Sequence, residues 1–229
     1  MTNSIGLVGG LGPAATIHYY RECLARSAHP LDIVIAHADV ARVFQHVGAG
    51  DLQGLAEYLS GFIGRLSRAG CNLAAISAVM PHICMPILRE IAPVPLVDIV
   101  ETTRAALLAR RWSRVALFGT RAVTESGMFG RLEGIDVIRL RAEEIEAIHA
   151  AYVSIVERGE ANAQLMTELI QLASEAQERE RLDAIVMAGT DLSLAFKEET
   201  RLPFTILDCA SHHVEAILRW PHSADRWSS

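Results

Sequence analysis

Short runs of consecutive apolar residues, rich in β-branched types and closed by glycine or a small polar residue, recur along the chain. They are Ile5–Gly9, Asp32–Ala36, Leu73–Ser77, Leu96–Ile99, Arg114–Gly119, Val137–Leu140, Ala184–Ala188 and Thr205–Leu207. These runs lack the strict polar–apolar alternation of a sheet with one wet face, and they suit parallel strands buried on both faces. Between them the spacing changes to that of helices. Ala14–Ala25 is amphipathic and follows Pro13, a residue suited to a first helical turn. Asp51–Ala69 follows a cap at Asp51 or Gly50. Glu143–Arg158 and Asn162–Arg181 put charge on one face and Ile, Leu and Met on the other, and Ala210–Trp220 reads as a last helix. Strand–helix alternation predicts an α/β fold with parallel sheets.

The pattern repeats. Ile5-Gly6-Leu7-Val8-Gly9 opens into Gly10-Leu11-Gly12-Pro13-Ala14-Ala15-Thr16, and about 110 residues later Val115-Ala116-Leu117-Phe118-Gly119 opens into Thr120-Arg121-Ala122-Val123-Thr124. Leu73-Ala74-Ala75-Ile76 runs into Ser77-Ala78-Val79-Met80, and Ala184-Ile185-Val186-Met187 into Ala188-Gly189-Thr190-Asp191. The duplication predicts two pseudo-symmetric three-layer α/β lobes whose parallel sheets face a shared cleft, able to address both faces of one small molecule. Residues 1–98 with 208–229 are expected to form the first lobe and 99–207 the second. The lobes are expected to meet near Asp98–Arg111, and the polar tail Pro221–Ser229 to fray.

A chain of 229 residues, half of them hydrophobic, suffices for one large α/β domain or two small ones. A net charge of −6 excludes a general nucleic-acid binder, which needs a basic stripe, but leaves a small anionic ligand open. Cys23, Cys71, Cys84 and Cys209 form no CxxC pair and no zinc spacing, and read as reduced core thiols. No signal peptide is recognisable and no apolar run reaches ~18 residues, so a soluble cytoplasmic protein without membrane contact is expected.

Each turn admits a bland and a chemical reading. Gly9-Gly10-Leu11-Gly12-Pro13 is a packing turn or a backbone cradle for an anion; it lacks the P-loop ending and the dinucleotide spacing. Thr120, Thr124 and Ser126 are caps or hydroxyl donors to a carboxylate beside a helix start. His82 is a structural histidine or an acid–base group. Asp191 is a helix cap, an ammonium partner or a base. Asp208 is a candidate cap for the last helix. His212 and His213 point in different directions on that helix and do not make a metal pair.

Taken in order, Gly9-Gly10-Leu11-Gly12-Pro13-Ala14-Ala15-Thr16 with Tyr19-Tyr20-Arg21, Gly119-Thr120-Arg121 through Thr124-Glu125-Ser126, and Asp208 with His213 resemble the aspartate/glutamate racemase family, a branch of the cofactor-independent Asp/Glu/hydantoin racemase superfamily. The resemblance spans nearly the whole chain. It implies a pair of opposed thiols, one per lobe, that remove and return an α-proton, and it implies a homodimer. The family's Cys-Asn-Thr-x-His reads here Ala78-Val79-Met80-Pro81-His82, and its Gly-Cys-Thr-Glu reads Ala188-Gly189-Thr190-Asp191. Both thiols are therefore missing, and the carboxylate-holding asparagine and threonine are Val79 and Met80. Cys84 lies two residues beyond His82, and Cys209 matches a family threonine.

The expected function is accordingly a divergent, cofactor-independent and metal-free isomerase or lyase acting on a small carboxylate or amide. Its catalytic candidates are His82 and Asp191, with Cys209 as helper. Its binding candidates are Gly10, Thr16, Ser77, Ala78, Val79, Thr120, Thr124, Ser126, Gly189 and Thr190. Two alternatives stand beside it: a non-catalytic ligand-binding protein on the same fold, and an amino-acid racemase with atypical catalytic residues.

Overall fold

The computed structural model describes residues 4–159, 161–196 and 201–223. The chain divides into two compact units, one running to Asp98 and resuming at His213, the other spanning Ile99–His212. The last six residues of the tail expected to fray lie outside the described residues.

In the first unit, strands β1 (Ser4–Gly9), β2 (Asp32–His37), β3 (Leu73–Ile76) and β4 (Leu96–Val97) pair in parallel in the order β2-β1-β3-β4. All six residues of β1 and all four of β3 are buried, as unbroken apolar runs demand. Helix α1 (Pro13–Arg26), with Pro13 in its first turn, and helix α3 (Leu52–Arg68), capped by Asp51 through Gly54 N at 2.8 Å, cover opposite faces. Two close approaches fix which face is which. The Gly6 Cα faces Leu66 of α3, and Gly9, one residue of opposite parity away from Val8, faces Thr16 of α1. Val8, Ala74 and Ile76 pack with Leu55, Leu59, Ile63 and Leu66 on the α3 side.

The second unit repeats the plan. Strands β5 (Arg114–Phe118), β6 (Asp136–Val137), β7 (Ala184–Met187) and β8 (Ile206–Asp208) form a parallel sheet in the order β6-β5-β7-β8. Helices α7 (Ala142–Arg158) and α8 (Ala163–Glu180) send Ile148, Ile155, Leu169 and Ala173 against Ala116, Phe118, Ile185 and Met187. The matching strand orders are the physical content of the repeated sequence pattern.

Several elements differ from the sequence reading. Leu96–Ile99 is a strand only as far as Val97, because Ile99 begins helix α5 (Ile99–Arg110) where a lobe junction was expected. Val137–Leu140 contributes only Val137 to β6. Helix α2 (Val40–Gly48), capped by Asp39, and helix α4 (Met85–Ile91) went unread, and the helices expected to start after Thr120 and Asp191 are only five residues long, α6 (Arg121–Glu125) and α9 (Leu192–Phe196). The 3₁₀ turn Met80–Cys84 also went unread. The final helix α10 is Cys209–Ser223. Strand β8 is hydrogen-bonded to β7, so the chain stays with the second unit through the first turn of α10 and returns to the first unit at His213. Among the described residues no helix is long and apolar enough to cross a membrane.

Leu59 is fully buried in the α3 layer. Leu59→Ala is expected to lower unfolding free energy by about 2–5 kcal/mol, from lost transfer energy and residual cavity, as read by denaturant titration. A loss below about 1 kcal/mol means that this layer is not packed as described.

Candidate active site

In an open parallel sheet, ligands bind beyond the carboxyl ends of strands whose connections leave in opposite directions. In the first unit that point lies between β1 and β3, and in the second between β5 and β7. The segments leaving those strands are the four turns singled out from sequence: Gly9-Gly10, Ser77-Ala78, Gly119-Thr120 and Ala188-Gly189. Strand topology thus gathers the candidate residues of each unit at one end of its sheet.

At the first of these points the chemistry is mostly self-contained. Gly10 adopts φ +84°, and a side chain there would strike the Ala38 carbonyl at 2.4 Å, so the turn needs glycine twice over. Gly10 N donates to Thr16 Oγ1 at 3.0 Å, and that hydroxyl donates to the Gly12 carbonyl at 3.0 Å. Thr16 Oγ1 and Ser77 Oγ lie 3.3 Å apart, and Ser77 donates to the Val8 carbonyl. Ala78 and Val79 are buried and apolar beside them.

His82 is fully buried in the 3₁₀ turn. Its Nδ1 donates to the Ala78 carbonyl at 2.8 Å, which fixes the tautomer with the proton on Nδ1. Its ring meets His213 edge to face, with centroids 5.8 Å apart. His213 in turn donates Nε2–H to the Val97 carbonyl at 3.0 Å and accepts from the Tyr19 hydroxyl at 2.9 Å through Nδ1. A neutral His213 satisfies both contacts. Burial, reinforced by the charge His82 would carry, pushes its pKa down to about 3.

The second unit is the more polar. Thr120 caps α6, accepting from Val123 N. Thr124, one turn on, is buried, and its Oγ1 has no hydrogen-bond partner among the described residues. Ser126 departs from expectation. It is the C-cap of α6, exposed, and its hydroxyl donates to the Ala122 carbonyl at 2.5 Å and accepts from Phe129 N. The helix is too short to hold Ser126 near its start, so its hydroxyl closes the turn instead of serving a carboxylate.

Thr190 and Asp191 are buried after β7. The Tyr152 hydroxyl, from α7, donates to Asp191 Oδ2 at 3.2 Å, and the Thr190 side chain also bonds the phenol. Tyr152 keeps part of its surface exposed, yet its hydroxyl lies deep enough that burial, then the Asp191 carboxylate, raise its pKa well above the ordinary phenol value. The sequence reading missed Tyr152. One aromatic on an amphipathic helix carries no local signal, and only the absence of a side chain at Gly189 hints that something else fills that space.

Asp208 accepts from Ser193 Oγ at 2.6 Å and from the amides of Ala210 and Ser211 at 2.9 and 3.1 Å, fixing the start of α10. Cys209 follows, fully buried, with the Gly189 amide among the N–H groups on its sulfur. Burial raises its pKa well above the ordinary thiol value, and burial pushes Cys84, which donates to the Pro81 carbonyl, up to about 12. Both sulfurs stay protonated at neutral pH. Among the described residues no group of three or more His, Cys, Asp or Glu is placed to hold a metal ion.

The model of the Asp/Glu/hydantoin racemase family matches residues 8–217. Among solved structures, the chain is similar to a candidate Asp/Glu racemase from Yersinia pestis, with 21% identity over 96% of this chain and 99% of that one, at a TM-score of 0.81. It is similar to an aspartate racemase homologue from Pyrococcus horikoshii OT3, with 23% identity over 97% and 100% of the two chains and a TM-score of 0.80. It also resembles a liganded double mutant of arylmalonate decarboxylase, with 14% identity over 95% and 92% of the chains and a TM-score of 0.59.

The His213 environment has a measurable consequence. The unfolded histidine takes up a proton below about 6.5, while the folded one stays neutral down to about 3. Its contribution to stability is therefore complete above pH 6.5 and is lost as pH falls toward 3, with a slope approaching ~1.4 kcal/mol per pH unit. His213→Gln is expected to flatten the stability–pH curve between pH 6 and 4.5, whatever its effect on absolute stability. An unchanged slope there contradicts the buried neutral ring.

Proposed function

Because the chain belongs to the Asp/Glu/hydantoin racemase family, we propose that it is a cofactor-independent isomerase or lyase of small carboxylates or amides whose proton-transfer groups are not thiols. The observation that carries this reading is the polar cluster at the β5/β7 switch point. There Thr190 and a buried Asp191, held by Tyr152, directly follow Gly189, the position at which the resemblance puts the second thiol. Residues 78 and 189 are Ala and Gly, neither of which can move a proton. The racemase and decarboxylase relatives supply the two reaction types, isomerisation and carbon–carbon cleavage, that share a carbanion-like intermediate.

In this reading Asp191 takes the proton from the carbon next to the substrate carboxylate. The C–H electron pair stays on that carbon and spreads into the carboxyl group, and proton return completes an isomerisation. Thr120, Thr124 and Thr190, with the backbone amides of the turns, offset the developing negative charge. The unpartnered Thr124 hydroxyl is a donor in want of an acceptor. Cys209 contributes a protonated thiol against the Gly189 amide.

One observation favours the second reading, a binding protein without turnover. His82 is sealed from solvent, and Cys84 and Cys209 are buried and protonated. The two readings separate in heavy water. Deuterium wash-in at the α-carbon across a panel of small carboxylates and amides is expected with at least one compound. Asp191→Asn is expected to slow it by about 10²–10⁴-fold while folding is retained. Calorimetric binding of panel members by the wild type, with no exchange in any of them, establishes the binding protein instead.

A further inference from the structure

The place of the second thiol is closed from within the second unit. A Cβ on Gly189 would lie 2.4 Å from Cε2, 2.9 Å from Cδ2 and 3.2 Å from Cζ of Tyr152. Distances under 3.0 Å are essentially never seen for a real Cβ, so the ring and a side chain at 189 exclude each other. The ring cannot swing away cheaply, because Ile148, Ala151 and Ile155 of the same helix are packed into the core on either side of it. Its hydroxyl meets Asp191, and its raised pKa keeps it an O–H donor at neutral pH.

We propose that Tyr152 is a positioning residue that has displaced the thiol: its ring bars any side chain from position 189, and its hydroxyl orients the Asp191 carboxylate as the unit's proton acceptor. The proton-accepting role rests on the enzymatic reading above; the displacement does not. The hydroxyl acts by donating to the charged form of Asp191, which lowers a carboxyl pKa. Around the phenol stand the ionisable side chains of Asp191 and of Cys209, at the start of α10, and Asp208, at the end of β8, acts in turn on Cys209.

Two measurements test this without a known substrate. Carbon-13 titration of the Asp191 carboxyl, assigned with Asp191→Asn, is compared in the wild type and in Tyr152→Phe, which keeps the ring and removes only the hydroxyl. The Asp191 pKa is expected to rise by about one unit in Tyr152→Phe; an unmoved value overturns the orienting role. Thermal unfolding is then followed for Gly189→Ala, Tyr152→Ala and the double variant. Gly189→Ala is expected to lower the Tm by several degrees in the wild type and by much less beside Tyr152→Ala; equal losses in both backgrounds overturn the steric exclusion. Where an exchanging substrate is found, Tyr152→Phe is expected to lower kcat by about tenfold to a hundredfold with KM near the wild-type value. Exchange at the wild-type rate in Tyr152→Phe overturns the inference while the enzymatic reading stands. A shifted Asp191 pKa with no exchange for any compound overturns the enzymatic reading and leaves the displacement standing.

Discussion

Burial of both faces of each parallel sheet is the constraint on which the rest of this protein depends. Strands β1, β3 and β7 are buried along their whole length, and apart from Ser4 at the start of β1, which bonds Cys71, they carry no polar side chain. Polar chemistry is driven to the ends of the strands. There the oppositely directed connections leave a gap, and helix starts and free amides supply donors. Every candidate residue of either unit lies at such an end or on a helix that packs over it.

The two units use that common plan differently. The first spends its polar groups on itself: Thr16 and Ser77 bond backbone carbonyls and each other, and Ala78 and Val79 present an apolar surface. The second collects Thr190, Asp191, Tyr152 and Cys209 within one cluster beneath Gly189. Positions 78 and 189 therefore have unlike surroundings. Ala78 sits in an apolar patch, whereas Gly189 is accompanied by an aromatic ring and a hydrogen-bonded acid. The acidic chemistry that remains is concentrated on one side of the duplication.

Much of the architecture was legible because it rests on local rules. Unbroken apolar runs marked β1, β3 and β7, which are buried throughout, and also the edge strand β2, where the expected burial on both faces fails because no strand covers its outer side and only Ala36 is buried. Asp51 and Pro13 announced the starts of α3 and α1 through capping and a preset φ. Less visible were elements whose apolar residues do not fall on a single stripe. Helix α5 buries Ile99, Val100, Thr103, Ala106 and Leu107 on one face, but Ala105, Leu108 and Ala109 make its other face apolar too, and so it resembled a strand running into a linker. The turn Met80–Cys84 is interrupted by Pro81 and followed by Pro86, which obscures helical spacing. Ser126 was misplaced because the sequence does not show that α6 stops after five residues.

Membership of the fold, the duplication, and the absence of thiols at positions 78 and 189 follow from residue identity and order alone, because strand burial and motif spacing are written along the chain. What occupies the space those thiols left is another matter. Tyr152 stands 37 residues before Gly189 on a helix with no motif. Its ring reaches that glycine only because α7 packs across the sheet at one height and angle. Contacts of that kind are settled by how helices and sheet fit together in three dimensions, and so the partner of Asp191 became apparent only once the chain was folded.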